Sequence, residues 1–521
     1  MGNPIIIGRL GMLLHDSEVI CLNNNLLINT KYGKVQGFQE NNINKWYGIP
    51  FAKPPIHELR FKRAQPPEPW QGTKECTKMG NRPYQFTDEK ILKKMGLANE
   101  NIRSSEDCLN LNIWAPKSTK KAPVFVWIYG GGNHIGEASS PAYSLESFAE
   151  QGVIGVSFNY RLGPLGFYNF SKLDSSFDSN CAVSDMILAM QWIKNNIENF
   201  GGDSNNITIA GESAGGTAVY SLLAAPKAKG TFQKAIAMSG LSGNITTQKT
   251  HDLNNEIFFD KLGLDSQDIY KLKEMPVENM INPSKAVFEE SCSVNPGIFV
   301  TGPVIDDLIP KKPWDALNEG INKDVKCMFG TCRDEGTLFY SMHAIPKSWS
   351  EVSTMLSRNS RLDKYPYFKE LYGNQSEKKA MFEIGRDRLF WANTIKCAIA
   401  QSKYNDVYAY RFDYSNPLKE MIGLGAHHGA DVSPALNTQI SNKNRILNTV
   451  KNRGLKKVRN VLHGSFVNFA ISGNPNGGLP LKWPKYTNDT QSTYIINTKC
   501  SVLNNPNSNY FAIWDDLKLY E

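Results

Sequence analysis

The chain has 521 residues, of which 41% are hydrophobic and 21% are charged, and its formal net charge is +8. These proportions allow a large buried core, and no apolar run approaches the roughly 18 residues that a membrane-spanning helix needs. The basic residues are scattered and are not interleaved with aromatic residues, so a nucleic-acid partner is not expected.

The N-terminal stretch "MGNPIIIGRLGMLL" is apolar but is interrupted by Arg9. It lacks the basic n-region and the small-residue cleavage site of a secretory signal peptide. Ile6 stands where N-myristoylation requires Ser or Thr. We therefore expect an intracellular protein, the alternative being an absent or atypical signal peptide.

Six short apolar runs predict buried strands: "APVFVWIYGGG", "VIGVSFNY", "NITIAG", "KAIAMSG", "VKCMFG" and "VYAYRFDY". Between them, "SDMILAMQWIKNNIENFGG" predicts a helix that places Ile187, Met190, Ile193 and Ile197 on one face and is followed by Gly201. This alternation predicts an α/β fold with a parallel or mixed sheet, whose active site lies beyond the carboxyl ends of the strands.

The first of these runs ends in Gly130, Gly131 and Gly132. Consecutive glycines let main-chain N–H groups approach an anionic oxygen, as in an oxyanion hole. A phosphate loop is disfavoured because Ile135 stands where G-x-G-x-x-G requires its last glycine, and no Walker lysine follows. A plain glycine-rich turn is the other alternative.

The segment Gly211-Glu212-Ser213-Ala214-Gly215 lies between a predicted strand and a predicted helix. It matches the G-x-S-x-G nucleophile elbow, in which a strained turn projects the serine hydroxyl. A match to these five positions alone arises by chance in about one of every four or five proteins of this length. The flanking strand and helix favour Ser213 as a nucleophile, with the N–H of Ala214 joining two glycine N–H groups as a third oxyanion donor.

Several longer motifs occur in a fixed order, among them "YGIPFAKPP", "SEDCLNLNIWAP", "NYRLGPLGF", "FGGDSNNITIAGESAGG", "GTCRDEG" and "HHGAD". In these motifs the chain resembles the carboxylesterase/cholinesterase (type-B carboxylesterase) family, from about Thr30 to Trp514. The resemblance implies an α/β-hydrolase fold: a large, twisted, mostly parallel sheet with helices on both faces. It also implies a single domain over residues 30–515, with an N-terminal extension over 1–29 and a tail over 516–521.

The same resemblance implies a Ser-Glu-His triad of Ser213, Glu335 and His428, in the chain order of an α/β-hydrolase. The family's oxyanion donors fall on Gly131, Gly132 and Ala214. Ester hydrolysis through an acyl-enzyme on the serine is implied, with no metal or organic cofactor and a small-molecule ester as the partner. Glu212 and Asn133 are candidates for lining the pocket, and His427 is assigned no chemistry.

The chain also departs from the family. The region "GLANENIRSSEDC" lacks the tryptophan that binds choline in cholinesterases, so a choline ester is disfavoured. Pro83 stands where the first family disulfide has a cysteine, which leaves Cys76 as an alternative partner for Cys108. Most other family disulfides are missing, which favours a reducing compartment over a secreted or vesicular location.

We therefore expect a serine carboxylesterase for uncharged esters with short-to-medium acyl groups. One alternative is a storage, adhesion or crystal-forming relative with little turnover, although relatives of that kind commonly lose triad residues that this chain keeps. A lipase with a lid around residues 76–104 is a second alternative, disfavoured by the charge of that segment. The sequence leaves the oligomeric state open.

Overall fold

The computed structural model of the chain describes residues 26–86, 99, 102–299, 301–438 and 453–520. Within these ranges no helix is long and apolar enough to span a bilayer. Residues 1–25 of the predicted N-terminal extension lie outside the described residues.

Eleven strands of the described chain form one large sheet, in the spatial order β14-β13-β12-β11-β10-β9-β7-β8-β6-β4-β3. Their bounds are β3 Phe38–Glu40, β4 Ile43–Pro50, β6 Asn110–Pro116, β7 Ala122–Ile128, β8 Ile154–Phe158, β9 Gly202–Glu212, β10 Lys234–Met238, β11 Lys326–Cys332, β12 Val407–Phe412, β13 Ser492–Ile496 and β14 Ser501–Asn504. A second sheet of three strands contains β1 Leu27–Asn29, β2 Lys34–Gln36 and β5 Thr73–Glu75.

The centre of the large sheet is parallel, from β8 through β7, β9, β10, β11 and β12 to β13. The outer strands on both sides pair antiparallel. All six predicted strands lie in the parallel block, so the predicted α/β fold with a mostly parallel sheet is confirmed. Strand β9 begins at Gly202, four residues before the predicted run, because Ala122 pairs with Gly202 across a register shift.

The α-helices of the described chain are α1 Glu146–Ala149, α2 Cys181–Asn196, α3 Ala214–Ala224, α4 Gln248–Leu262, α5 Val277–Val294, α6 Pro313–Asn318, α7 Gly336–Ser341, α8 Trp349–Arg358, α9 Tyr365–Tyr372, α10 Glu377–Arg386, α11 Ala392–Ser402, α12 Pro417–Met421, α13 Val432–Leu436, α14 Arg453–Ser472 and α15 Ser508–Asp515. A π-helical turn, Asp387–Trp391, joins α10 to α11.

Successive side chains of β7 enter two different hydrophobic cores. Val124 and Val126 belong to the core that includes α2, whereas Phe125 and Trp127 belong to the core that includes α14. Because side chains alternate across a strand, helices cover both faces of the sheet. Since both faces are covered, an active site in this fold is expected in the loops at the ends of the strands.

The predicted helix is confirmed as α2, and the chain then continues through a short 3₁₀ turn, Ile197–Phe200. Gly201 follows with φ 88°, a left-handed conformation that favours glycine at the end of a helix. On α2, Asp185 pairs with Arg161 at 2.6 Å in the interior, where the carboxylate also accepts the backbone N–H of Arg161. This pair fixes the loop after β8.

Candidate active site

Ser213 occupies a sharp turn between the end of β9 and the first residue of α3. Its φ of 59° and ψ of −124° lie in a region that residues with side chains rarely adopt. The turn is held by hydrogen bonds, since the N–H of Ser213 donates to the carbonyl of Met238 at 3.0 Å and its carbonyl accepts the N–H of Thr217 at 2.9 Å. The strained conformation expected of a nucleophile elbow is therefore present at Ser213.

The glycines around this turn are required by close approach. A Cβ on Gly215 would lie 2.1 Å from the carbonyl oxygen of Ile128, at the end of β7. A Cβ on Gly130 would lie 2.4 Å from the carbonyl oxygen of Glu212 and 3.0 Å from the Cβ of Ser213. The glycine loop after β7 and the elbow after β9 are thus in direct contact.

The predicted oxyanion donors come from this loop and from the start of α3. Gly131 has φ 124° and Gly132 has φ 61°, and the carbonyl of Gly131 accepts the N–H groups of His134 and Ile135 at 3.1 Å. Ala214 is the first residue of α3, where N–H groups have no acceptor within the helix and the helix dipole is positive. An oxyanion-binding role for these three N–H groups stays a prediction.

Glu335 follows β11 and reaches the imidazole of His428. The distance from His428 Nδ1 to Glu335 Oε2 is 2.6 Å, and the carboxylate of Glu335 is fully buried. The other oxygen, Oε1, accepts the hydroxyl of Ser239 and the N–H of Cys332, both at 2.6 Å. Three hydrogen bonds therefore fix the orientation of Glu335 and, through it, that of the imidazole.

Glu212 lies on the other side of the same imidazole. Its Oε1 is 3.2 Å from Nε2 of His428, within contact distance but not aligned as a hydrogen bond. Burial lowers the pKa of His428, but the carboxylates of Glu212 and Glu335 outweigh burial and raise it above its usual value. Burial also raises the pKa of the Glu212 carboxyl, while the positive charge of protonated His428 opposes that shift and favours the carboxylate.

The pKa values of the two adjacent histidines are shifted in opposite directions. The ring of His427 donates from Nδ1 to the carbonyl of His428 at 2.7 Å, and its Nε2 accepts the ammonium of Lys419 at 3.0 Å. Burial, together with Lys419, lowers the pKa of His427 to about 4. His427 is therefore a neutral part of the loop packing, and only His428 faces the carboxylates.

Asp334 and Ser239 support this arrangement and were missed by the sequence analysis. Asp334 joins the acid turn to the histidine loop, because its N–H donates to the carbonyl of Ala426 at 3.0 Å and its Oδ2 accepts the N–H of Ala426 at 2.8 Å. Ser239 has φ 45°, directly after β10. The "DEG" and "MSG" segments contain these two residues, but no local pattern singles out their side chains.

The surroundings of His428 are apolar and aromatic. Its ring centroid lies 4.9 Å from that of Phe339 and 4.7 Å from that of Phe390. Both phenylalanines belong to a buried cluster that also contains Leu241, Phe299 and Leu389. The imidazole of His428 therefore lies between two carboxyl groups and a hydrophobic wall.

Asn133 is buried, and its side-chain amide donates to the carbonyl of Thr301 at 3.2 Å. Its role as a pocket residue stays a prediction. The segment that lacks the choline-binding tryptophan, and the possible lid around residues 76–104, lie partly outside the described residues. Cys76 and Cys108 are both buried free thiols, so the structure does not contain the disulfide considered for them.

Comparisons with known proteins identify the family of the chain. The model of the carboxylesterase family matches residues 24–514. The chain is 34% identical to para-nitrobenzyl esterase of Bacillus subtilis (strain 168), over 92% of this chain and 97% of that protein. It is 29% identical to acetylcholinesterase of Leptinotarsa decemlineata, over 94% of this chain and 86% of that protein.

Solved structures of PNB esterase share the fold. One superimposes with a TM-score of 0.81 at 31% sequence identity and covers 94% of this chain and 99% of its own. The family match over residues 24–514 includes the large sheet, Ser213, Glu335 and His428. The chain belongs to the carboxylesterase family and is a carboxylic ester hydrolase.

Proposed function

We propose that the chain is a serine esterase that hydrolyses uncharged carboxylic esters with short-to-medium acyl groups. Ser213 is the nucleophile, His428 is the general base and Glu335 orients the base. The N–H groups of Gly131, Gly132 and Ala214 bind the oxyanion. The observation that carries this proposal is the buried 2.6 Å contact of Glu335 with His428, in a site that also holds the strained turn at Ser213.

Acylation begins when Ser213 Oγ attacks the ester carbonyl carbon while its proton passes to Nε2 of His428. Nε2 has no hydrogen-bond partner among the described residues, so it is available to the hydroxyl once a substrate is bound. The carbonyl oxygen becomes an oxyanion, which the three main-chain N–H groups stabilise. The C–O bond to the alcohol then breaks, and the alcohol leaves with the proton from Nε2.

Deacylation repeats these steps with water. His428 takes a proton from the water, whose oxygen attacks the acyl carbon, and then returns the proton to Ser213 Oγ as the carboxylic acid is released. In both half-reactions the imidazole becomes positively charged. Glu335 at 2.6 Å and Glu212 at 3.2 Å both favour that charged form.

The substrate class follows from the surroundings of the base. Phe339 and Phe390 present an apolar surface beside His428, which favours an uncharged acyl or alcohol group. The aromatic residue expected to bind a quaternary ammonium is absent from the sequence at its family position. A neutral ester is therefore preferred to a choline ester.

Steady-state hydrolysis of p-nitrophenyl butyrate tests the proposal. We expect turnover by the unmodified chain and by Ser266→Ala, an exposed serine that serves as the control, and none above background by Ser213→Ala. Butyrylthiocholine should be a much poorer substrate. No turnover between pH 6 and 9, or equal turnover by Ser213→Ala, would contradict the assigned chemistry.

Labelling by a fluorophosphonate probe separates this function from the alternatives. A storage or crystal-forming protein would not be labelled rapidly and stoichiometrically at Ser213. A lipase would be labelled, but its activity on a long-chain ester would rise sharply above the micellar threshold of that ester.

A further inference from the structure

A short segment after β8, residues 159–163, contacts the glycine loop that follows β7. We call it the clamp segment, and the glycine loop comprises residues 129–138, including Gly131 and Gly132. Since β7 and β8 are neighbouring parallel strands, both segments leave the sheet at the same edge. Contacts between them therefore bear on the conformation of the loop that carries two of the proposed oxyanion donors.

The shortest of these contacts belongs to a reciprocal pair of tyrosines at the start of the glycine loop. The hydroxyl of Tyr160 donates to the carbonyl of Tyr129 at 2.6 Å, and the hydroxyl of Tyr129 donates to the carbonyl of Tyr160 at 3.2 Å. The two rings are stacked, with their centroids 4.5 Å apart and an angle of 14° between their planes. Both side chains are fully buried, so solvent does not compete for these bonds.

Two further hydrogen bonds hold the middle and the end of the glycine loop. The N–H of Gly163 donates to the carbonyl of Asn133 at 2.7 Å, and the N–H of Ala138 donates to Oδ1 of Asn159 at 2.8 Å. The clamp segment is itself anchored by its central residue, Arg161, through the buried ion pair with α2. The glycine loop therefore lies against a fixed support.

The bond to the carbonyl of Tyr129 acts on the main chain that follows it. Because a peptide unit is planar, fixing this carbonyl also fixes the N–H of Gly130 and the direction in which the chain enters Gly131. Gly131 and Gly132 have φ 124° and 61°, and glycine by itself does not hold one conformation. Donors stabilise an oxyanion only when they are aimed at the place where its charge develops. The clamp segment is suited to provide that aim.

We propose that Tyr160 is a positioning residue for ester hydrolysis, which holds the N–H groups of Gly131 and Gly132 in the orientation that binds the oxyanion. This inference rests on the proposed function, because it takes those N–H groups as the oxyanion donors. Tyr160 acts through the main chain of the glycine loop and not on the substrate. Its hydroxyl should therefore matter more to the chemical step than to ground-state binding of the ester.

Tyr160→Phe tests this role, because it removes the hydroxyl and keeps the stacked ring. With p-nitrophenyl butyrate we expect kcat to fall by about tenfold or more and KM to change by less than about threefold, since losing a whole oxyanion donor costs about 10²–10³-fold. Tyr129→Phe should have a smaller effect, because the carbonyl of Tyr129 keeps its donor.

Tyr220→Phe is the matched control. Tyr220 is fully buried and stacked on Phe329, and its hydroxyl bonds to Thr394. This variant makes the same chemical change away from the glycine loop and should leave kcat unchanged. Titration of Ser213 with a fluorophosphonate probe counts the folded active sites, so partial unfolding of a variant does not imitate a fall in kcat.

A trifluoromethyl ketone measures oxyanion binding directly. Oγ of Ser213 adds to its carbonyl carbon, the serine proton passes to His428, and the ketone oxygen becomes the oxyanion. We expect Tyr160→Phe to raise the inhibition constant of trifluoromethyl pentyl ketone by about the same factor as it lowers kcat/KM. Tyr220→Phe should leave that inhibition constant unchanged.

Hydrogen–deuterium exchange of the glycine loop separates this inference from the proposed function, because it uses neither ester nor inhibitor. We expect the amides of residues 130–136 to exchange about tenfold faster or more in Tyr160→Phe and at the unmodified rate in Tyr220→Phe. Absence of turnover by the unmodified chain would contradict the proposed function. Unchanged exchange in Tyr160→Phe, an unchanged kcat, or an equal fall of kcat in Tyr220→Phe would overturn the positioning role.

Discussion

Nε2 of His428 lies 3.2 Å from Oε1 of Glu212, the residue that immediately precedes Ser213 in the chain. In the proposed mechanism this nitrogen receives the serine proton, and it is in contact with a carboxyl group. A proton on His428 is stabilised by this contact, so the imidazole stays protonated to a higher pH than an ordinary histidine.

The pH dependence of catalysis follows from that contact. Only neutral His428 accepts the serine proton, so kcat/KM should rise with pH through an apparent pKa above 6.5. Glu212→Gln removes one negative charge, which lowers the pKa of His428 and moves this rise to lower pH by about one unit. The plateau of kcat/KM at high pH should also be lower in this variant, because the imidazolium formed during acylation loses a stabilising partner. Rate profiles from pH 5 to 9 measure both effects.

Glu289→Gln is the matched control, since Glu289 is exposed and pairs with Lys285 away from the site. Its profile should coincide with that of the unmodified chain. A shift of the Glu212→Gln profile to higher pH would mean that Glu212 does not act on His428 as a negative charge.

The adjacent histidines should differ sharply when substituted. His428→Ala removes the general base and should lower kcat roughly 10³-fold or more. His427→Ala loses only the hydrogen bonds to the His428 carbonyl and to Lys419, and should cost less than about tenfold. Steady-state kinetics on p-nitrophenyl butyrate measure both. The opposite ranking would assign the base to His427.

Ser239 is predicted to be a positioning residue. Ser239→Ala deletes the 2.6 Å hydrogen bond to Glu335 Oε1, and should lower kcat by about tenfold with little change in KM, because substrate contacts stay intact. Ser221→Ala removes another buried serine hydroxyl, which bonds to the carbonyl of Thr217, and provides the comparison. An equal loss of kcat in both variants would point to a general packing effect.

The elbow should tolerate no side chain at Gly215. Gly215→Ala places a Cβ 2.1 Å from the Ile128 carbonyl oxygen and should lower the melting temperature and the yield of folded protein. Gly464→Ala, in the middle of α14 with no atom within 4 Å of the added Cβ, should raise stability by about 1 kcal/mol or leave it unchanged. Calorimetric melting compares the two. Similar stability of both variants would argue against the close approach at Gly215.

The parts of the site that the sequence predicts best are those formed within a few residues. The elbow at Ser213 is such a case, because the strand, the turn and the helix are contiguous, although the reason that Gly215 is required, its close approach to Ile128 of β7, is not local. Glu335 and His428 are separated by 93 residues, and only the family resemblance named them. Ser239 and Asp334 were not predicted, since their partners come from distant segments and neither stands in a distinctive local pattern.

Prediction of the fold from the sequence was likewise limited to features that leave a local pattern. The buried parallel strands were predicted because they are apolar on both faces. Short outer strands such as β3 and β14 were not, since partly exposed residues give no continuous apolar run. Asn133 stays a candidate for the pocket, and the bond of its amide to Thr301, 168 residues further along the chain, is a contact that no local pattern predicts.

Glu335 and His428, the proposed acid and base, lie far apart along the chain, and this separation predicts an order of folding events. Asp334 follows β11 and Ala426 follows β12, so we expect the contact between their loops to form together with the pairing of these two strands. Contacts between distant segments close slowly during folding. The return of esterase activity during refolding should therefore lag behind the recovery of helical circular dichroism, which makes turnover a reporter of the last stage of folding.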